Sequence, residues 1–309
     1  MTGLAAEGRW YRPAVAAGMR EATGPYAALV RVTDLGDCCF YHTMEVPGYG
    51  LVQGPWDLRS RVDIYLGHRN FGSQRVLELG TADGYLSFHI EQQGAEVVSH
   101  DLGEGDQWDV VPFARGPATA QGTSALAPSW AEDVVRQQRH TMRQLNNAYW
   151  LCHNAFGSKA RLIHGDIYSL SPDIGEFDAS VFGAILLHLR DPFLALARVA
   201  PLTRRTVVVT DALGFLRLPA PLRAARSLLP PQLRRPIMRF MPDWRTREGA
   251  DGWWRLTPEI VQTFLGVLGF ERTEVLAHFQ LFKGRRKRLF TVVGHRTVPL
   301  GDAGRSPAP

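Results

Sequence analysis

Apolar residues along the chain cluster in short runs, separated by stretches whose apolar positions recur every three to four residues. This is the pattern of strands alternating with helices. Arg75–Gly80 is a compact apolar strand, and Tyr85–Gln93 reads as a helix that stops at Gly94. Glu96–Leu102, Ala160–Asp166, Phe177–Ala184 and Thr206–Leu213 follow as four further strands. Asp191 and Pro192 open a helix that runs through Ala200, and Thr257 and Pro258 open another that ends near Gly269. In both, a side-chain oxygen can cap the first turn, and proline sits where its missing N–H costs nothing. Glu271–Phe282 and Lys287–Arg296 finish as two strands joined by the basic turn Lys283–Arg286. The alternation predicts an α/β fold, a Rossmann-like doubly wound sheet of seven mostly parallel strands. The short final turn makes its two strands antiparallel, so one strand of the sheet is reversed.

Residues 1–70 are expected as an N-terminal helical or cap segment, 71–299 as the main domain, and 300–309 as a disordered tail. In the first segment Phe40–Pro47 is strand-like, and Asp57–Leu66 spaces Leu58, Val62 and Leu66 as a core-facing helix would. Two insertions, 103–159 and 216–254, exceed a minimal fold of this kind. The first holds a loop rich in small residues, Pro112–Pro128, then a long helix from Trp130 to about Phe156. The second is rich in proline and arginine. Both leave the carboxyl side of the sheet, where open α/β folds bind ligands.

Composition narrows the class further. At 309 residues, 45% hydrophobic and 21% charged, the chain reads as a soluble globular protein. No apolar run approaches the roughly 20 residues of a membrane span, and polar Met1–Arg12 does not read as a signal peptide. Cys38, Cys39 and Cys152 have no metal-ligand spacing and an odd count, which suits reduced thiols in the cytoplasm. The net charge of +5 hides an asymmetry. Residues 1–200 carry 16 Lys/Arg against 22 Asp/Glu, whereas residues 201–309 carry 19 against 8. Such a split fits a phosphate-bearing or nucleic-acid partner, or else a general preference for arginine, since only three of the 35 basic residues are lysine.

The segment Arg75–Gly84 carries the strongest chemical signal. Gly80 and Gly84 let a strand turn sharply into a helix with backbone close to a ligand. In a dinucleotide fold this turn reads G-x-G-x-x-G and meets a pyrophosphate. Here Ala82 replaces the second glycine and Asp83 follows it. Carboxylates at Glu78 and Asp83 would repel a pyrophosphate but suit a cationic ligand such as S-adenosyl-L-methionine (SAM), which bears a sulfonium and an ammonium. Asp101, about 20 residues on at the end of the second strand, is placed to hold two ribose hydroxyls. Asp166 can accept from an adenine amino group, with Ile167 against the ring. The expected cofactor set is Glu78, Gly80, Thr81, Ala82, Asp83, Gly84, Asp101, Leu102, Asp166, Ile167 and Gly183.

These residues resemble the pattern of class I SAM-dependent methyltransferases. At the flanks the resemblance narrows. Phe40–Pro47 (FYHTMEVP) is similar to the YHTIELP segment of the tRNA wobble-uridine (cmo5U/mo5U34) methyltransferase-like family. Trp56–Arg59, Ala184–Pro192 and Gly252–Pro258 resemble further blocks of that family. The resemblance spans roughly Phe40–Phe270 and implies SAM, or carboxy-SAM, as methyl or carboxymethyl donor. The chain lacks the long N-terminal extension of the tRNA enzymes and shows no lysine that would hold a carboxy-SAM carboxylate, which makes ordinary SAM the expected cofactor.

Methyl transfer to a hydroxyl needs positioning and a proton acceptor. The candidate bases are His188, just past the fourth strand, then His42 and His153, with Glu45 as a carboxylate option; His89 and His164 read as packing residues. Tyr41, Trp56, Asn147, Tyr149 and Trp253 are expected on the acceptor side, where aromatics and amides suit a sugar or planar ring. Asp191, His188 and Asp166 or Asp211 form no compact ligand motif, so no metal is expected. The expected activity is O-methylation of a small hydroxylated acceptor, a saccharide or secondary metabolite. The alternative is a tRNA-modifying methyl- or carboxymethyltransferase. A third reading is a SAM-binding fold without catalysis that serves as a partner-binding module. Self-association is left open.

Overall fold

The computed structural model describes residues 24–109, 111, 128–213, 235–243, 245 and 252–300. The expectations for 1–23, for the loop 112–127, for 214–234 and for the tail 301–309 lie outside the described residues.

The chain opens with a small antiparallel hairpin, β1 (Met44–Val46) and β2 (Gly50–Val52). A two-residue strand β3 (Trp56–Asp57) and one turn of helix α1 (Val62–Tyr65) follow. The longer helix expected over Asp57–Leu66 is thus mostly absent. Leu58, Val62 and Leu66 are all buried, so the spacing found the core-facing positions but not their backbone conformation. Then come β4 (Arg75–Leu79), α2 (Tyr85–Gln92), β5 (Glu96–Asp101), α3 (Pro128–Phe156), β6 (Arg161–His164) and β7 (Phe177–Gly183). The chain continues through α4 (Pro192–Val199), β8 (Thr203–Ala212), β9 (Met238–Phe240), β10 (Trp254–Leu256), α5 (Pro258–Val267), β11 (Arg272–Phe282) and β12 (Arg285–His295). The two caps form as expected. Asp191 accepts from the Leu194 amide at 2.9 Å and Thr257 from that of Ile260 at 3.3 Å, each with proline in the first turn.

The main sheet runs β3-β11-β12-β8-β7-β4-β5-β6. Strands β4 to β8 are mutually parallel, whereas β12 is antiparallel to both β8 and β11. It has eight strands rather than the expected seven because β3 pairs antiparallel with the far end of β11. Two residues are too short for an alternation to register in the sequence. Lys283 and Gly284 turn β11 into β12 with φ of 49° and 71°, the two positive values of the hairpin turn that matches strand twist.

Leu77, Phe182, Val209, Phe290 and Val292 build the core on one face of the sheet beneath α4 and α5. Val76, Val181, Val208 and Val293 build the other beneath α1 and α2. A third cluster joins Tyr149, Trp150, Leu151 and Cys152 of α3 to the β1–β2 hairpin and Phe88. No described helix is long and apolar enough to cross a membrane.

Candidate functional site

The register sets one row of residues across the carboxyl ends of the parallel strands. His164 pairs with Asp101, Leu79 with both His100 and Phe182, and Gly183 with Thr210. Gly80, Asp101, Gly183 and Thr210 therefore stand level, and the glycine turn rises from the middle of that row.

The turn is held by backbone and one carboxylate. Gly80 and Thr81 donate their amides to the His100 carbonyl at 2.9 and 3.3 Å, and Gly84 donates to Thr81 at 2.9 Å. Gly80, Ala82 and Gly84 have φ of 76°, 51° and 83°. The left-handed conformation is natural for glycine but costs alanine about 1 kcal/mol. The Ala82 amide donates to Asp101 Oδ2 at 2.6 Å, and the Leu102 amide to Asp101 Oδ1 at 2.7 Å. Each carboxylate oxygen offers two acceptor sites, so Asp101 retains one on each oxygen. Burial pushes its acid above the ordinary carboxylate range, against the pull of the two amides. Ala184, just beyond β7, also has a positive φ of 56°.

The two other acids of the turn do not face a ligand. Asp83 is fully buried and accepts from the Tyr41 amide at 2.8 Å and the His42 amide at 2.6 Å, while its other oxygen meets His42 Nδ1 at 2.6 Å. It pins the 41–42 segment onto the turn, and His42 stacks on Tyr85 at 5.4 Å. The expectation that Asp83 grips a cationic cofactor is therefore corrected. Glu78 lies beneath the turn in a hydroxyl cage. Ser87 Oγ donates to its Oε2 at 3.0 Å and contacts Thr81 Oγ1 at 3.0 Å and Ser99 Oγ at 2.7 Å. Burial pushes the Glu78 acid up to about 7, opposed by the hydrogen bonds of Thr81 and Ser87. Thr81 is buried with it.

The remaining cofactor candidates line the acidic end of the row. Leu102 accepts from Asn146 Nδ2 at 3.4 Å. Asp166 is exposed and uses one oxygen on the Tyr168 amide at 2.9 Å, leaving the other for a donor. Ile167 is buried in the core beneath it. A Cβ on Gly183 would lie 2.7 Å from Leu86, and one on Gly80 would lie 2.6 Å from Ile185, so both glycines permit close packing.

Three acceptor and base candidates are misplaced for that role. Tyr149 is fully buried, bonded through its hydroxyl to Ser99 Oγ at 3.1 Å, and fills the space under Gly84. Asn147 ties α3 to the N-terminal segment by donating to the Asp37 carbonyl at 2.9 Å. His153 is buried among Phe88, Tyr149 and Trp150 with Nε2 against the Ala160 carbonyl at 3.0 Å. A carbonyl only accepts, so that nitrogen carries a proton and is no base. Tyr149 and His153, four residues apart, share the face of α3 that packs inward, whereas Asn147 lies on another side of the helix. Trp56 packs against Phe282 in a tilted pair, ring centroids 4.7 Å apart, at the edge of the sheet. His188 is exposed just past β7, and Tyr41 is partly exposed beside His42.

Two further groups complete the site: Asp109, which the sequence did not single out, and Asp211, which it offered only as a metal-ligand candidate. Asp109 joins three segments: it accepts from Tyr168 Oη at 2.8 Å and the Arg190 amide at 2.6 Å, and its carbonyl takes the Trp253 indole N–H. Trp253 thus clasps the second insertion to the loop after β5. Asp211, near the end of β8, is fully buried with one oxygen on the Ala212 amide and the other unpartnered. Burial pushes its acid up to about 7, opposed by the Ala212 and Leu187 amides and by Arg255. An acid inside the apolar run TVVVTDAL was the available signal; Asp109 left none.

No family model matches the chain, and no curated protein matches it. The resemblance to the tRNA wobble-uridine enzymes therefore gains no support from these comparisons. Among solved structures it is similar to the N-terminal domain of EvdMO1 with S-adenosylhomocysteine bound, at 17% identity over 77% of this chain and 79% of that one, TM-score 0.42. It is similar to magnesium protoporphyrin IX methyltransferase from Synechocystis PCC 6803, at 16% identity over 76% and 81%, TM-score 0.40. It is also similar to 1,6-didemethyltoxoflavin-N1-methyltransferase from Burkholderia thailandensis, at 13% identity over 77% and 76%, TM-score 0.40. All of these scores are below 0.5, and function is read from the site itself.

Proposed function

We propose that the chain is a SAM-dependent methyltransferase acting on a small hydroxylated acceptor. The observation that carries this is Asp101: a carboxylate at the end of β5, fixed by the Ala82 amide of a left-handed glycine turn, with one acceptor site free on each oxygen. That donor set fits the two ribose hydroxyls of an adenosine moiety, and exposed Asp166 fits its amino group. SAM, when bound, supplies an electrophilic methyl group.

The chain's own task is then to orient the acceptor and take its proton. His42 is the better placed base. With Nδ1–H given to Asp83, the neutral ring presents Nε2 as acceptor, and the carboxylate stabilises the imidazolium once the proton arrives. Exposed His188 is the competing base. His42→Ala should abolish methyl transfer, measured with tritiated SAM against a panel of phenols and glycosides, while S-adenosylhomocysteine still binds. Full turnover in His42→Ala together with loss in His188→Ala would move the role to His188. A chain that binds cofactor but methylates nothing in the panel would favour the partner-binding reading.

A further inference from the structure

The β11–β12 hairpin carries a charge cluster that the site described above does not use. Lys283, Arg285, Arg286, Lys287 and Arg288 place five cations within six residues, all exposed. Among the described residues none of them has an ion-pair partner. Of the acids that neighbour the hairpin in the sheet, Asp57 is engaged with Arg59, and Asp211 is buried at the end of β8.

The register fixes where this cluster lies. Leu289 pairs with Ala212, the last residue of β8, so Arg285–Arg288 overhang the carboxyl end of β8. Four residues extend roughly 13 Å past it. The Leu213 amide donates to the Arg288 carbonyl at 3.0 Å, which ties the overhang to the end of β8 beside Asp211. The cations thus rise on the same side of the sheet as the glycine turn.

They are also held in place. Arg286 lies 4.5 Å and Arg288 5.9 Å from the Phe279 ring centroid, and Lys283 lies 5.5 Å from that of Phe282, itself packed against Trp56. A guanidinium stacked on an aromatic ring is preorganised and keeps its N–H fork for phosphate oxygens.

We propose that this hairpin binds the phosphate of a small phosphorylated acceptor whose remainder reaches the row at Gly80, Gly183 and Asp211. The limited reach of the cluster favours a small molecule over a nucleic acid. Among the described residues, a long polyanion crossing the row would leave the cations and meet Asp106, Asp109, Asp166 and Asp191 at its other end, whereas nucleic-acid surfaces carry a continuous basic track. That the ligand is the methyl acceptor rests on the proposed cofactor reading; phosphate binding by the hairpin does not.

The test is calorimetric titration of uridine diphosphate and of inorganic pyrophosphate into the full chain at low salt, with S-adenosylhomocysteine present. The expected result is binding of both, mutually competitive. It should weaken at least tenfold in Arg286→Glu/Arg288→Glu and also in the milder Arg286→Gln/Arg288→Gln. S-adenosylhomocysteine affinity and the urea midpoint should stay at wild-type values in both. Binding of neither probe, or equal binding by the variants, overturns the proposal. So does an RNA oligonucleotide that binds through the hairpin and is not displaced by uridine diphosphate. Wild-type failure to bind S-adenosylhomocysteine, with phosphate binding intact, would remove the cofactor reading alone.

Discussion

The two flanks of the sheet are built alike and charged oppositely. On the β4–β5–β6 flank the strand ends carry Asp101 and Asp166, with Asp106 and Asp109 in the loop above. On the β8–β12–β11 flank the strand ends carry an overhanging hairpin of arginine and lysine. Each flank also buries one acid that burial raises to about 7, Glu78 on the first and Asp211 on the second. Each likewise buries one histidine lowered to about 4, His100 and His278, by burial above all. The difference lies in what satisfies the acids. Glu78 is caged by hydroxyls, so it serves the fold, whereas Asp211 keeps an oxygen without a partner.

Asp83→Ala should disturb the molecule most. It strips the acceptor from two amides and one imidazole, all buried or partly buried, and should cost about 3–5 kcal/mol in urea unfolding. A loss below about 1 kcal/mol would mean that the 41–42 segment is held by something else.

Asp211→Asn separates the second flank from the first. The folded Asp211 acid at about 7 lies above its ordinary 3.8, so folding favours the proton. Stability from this group is full below the ordinary value and is lost as pH rises through about 7. Between pH 6 and 8 that loss is about 1 kcal/mol, and the asparagine variant should lack it while keeping the Glu78 share. An unchanged slope in urea midpoint against pH would assign the whole effect to Glu78. The histidines act with the opposite sign: with folded values near 4, they lose stability as pH falls through about 6.5. That window overlaps pH 6 to 8, so the comparison is the difference between variant and wild type, in which their share cancels.

Ala82→Gly should have the smallest effect. Relief of the left-handed strain gains about 1 kcal/mol, partly offset by the glycine's larger unfolded-state entropy, for a net rise of roughly 0.5 kcal/mol. A drop in thermal stability would show that the Ala82 methyl group packs against something that matters more than its φ.

Much of the acidic flank was legible in the sequence. The strand Arg75–Leu79, the turn that follows and Asp101 at the next strand's end form a local pattern, because backbone geometry ties those residue types to those positions. What an acid in the turn faces is not local. Asp83 looked like a ligand group until the 41–42 segment was seen folded over it, a contact some forty residues distant in sequence. Tyr149 and His153 failed for a related reason: helical spacing shows that side chains share a face, not whether the face packs inward or lines a site, and Asn147 is taken by a carbonyl some 110 residues away in sequence. The basic flank was legible as the basic turn Lys283–Arg286 and as a charge imbalance between the two parts of the chain. Its position over the carboxyl ends depends on the register of β12 against β8.

The central claim, that Asp101 anchors an adenosine ribose at the glycine turn, is tested most directly by calorimetric titration of S-adenosylhomocysteine into wild-type and Asp101→Ala chains. The wild type should bind, and the variant should bind at least about 100-fold more weakly with its fold intact, the loss of two hydrogen bonds to a charged group. No binding to the wild type, or equal affinity in the variant, would contradict the account.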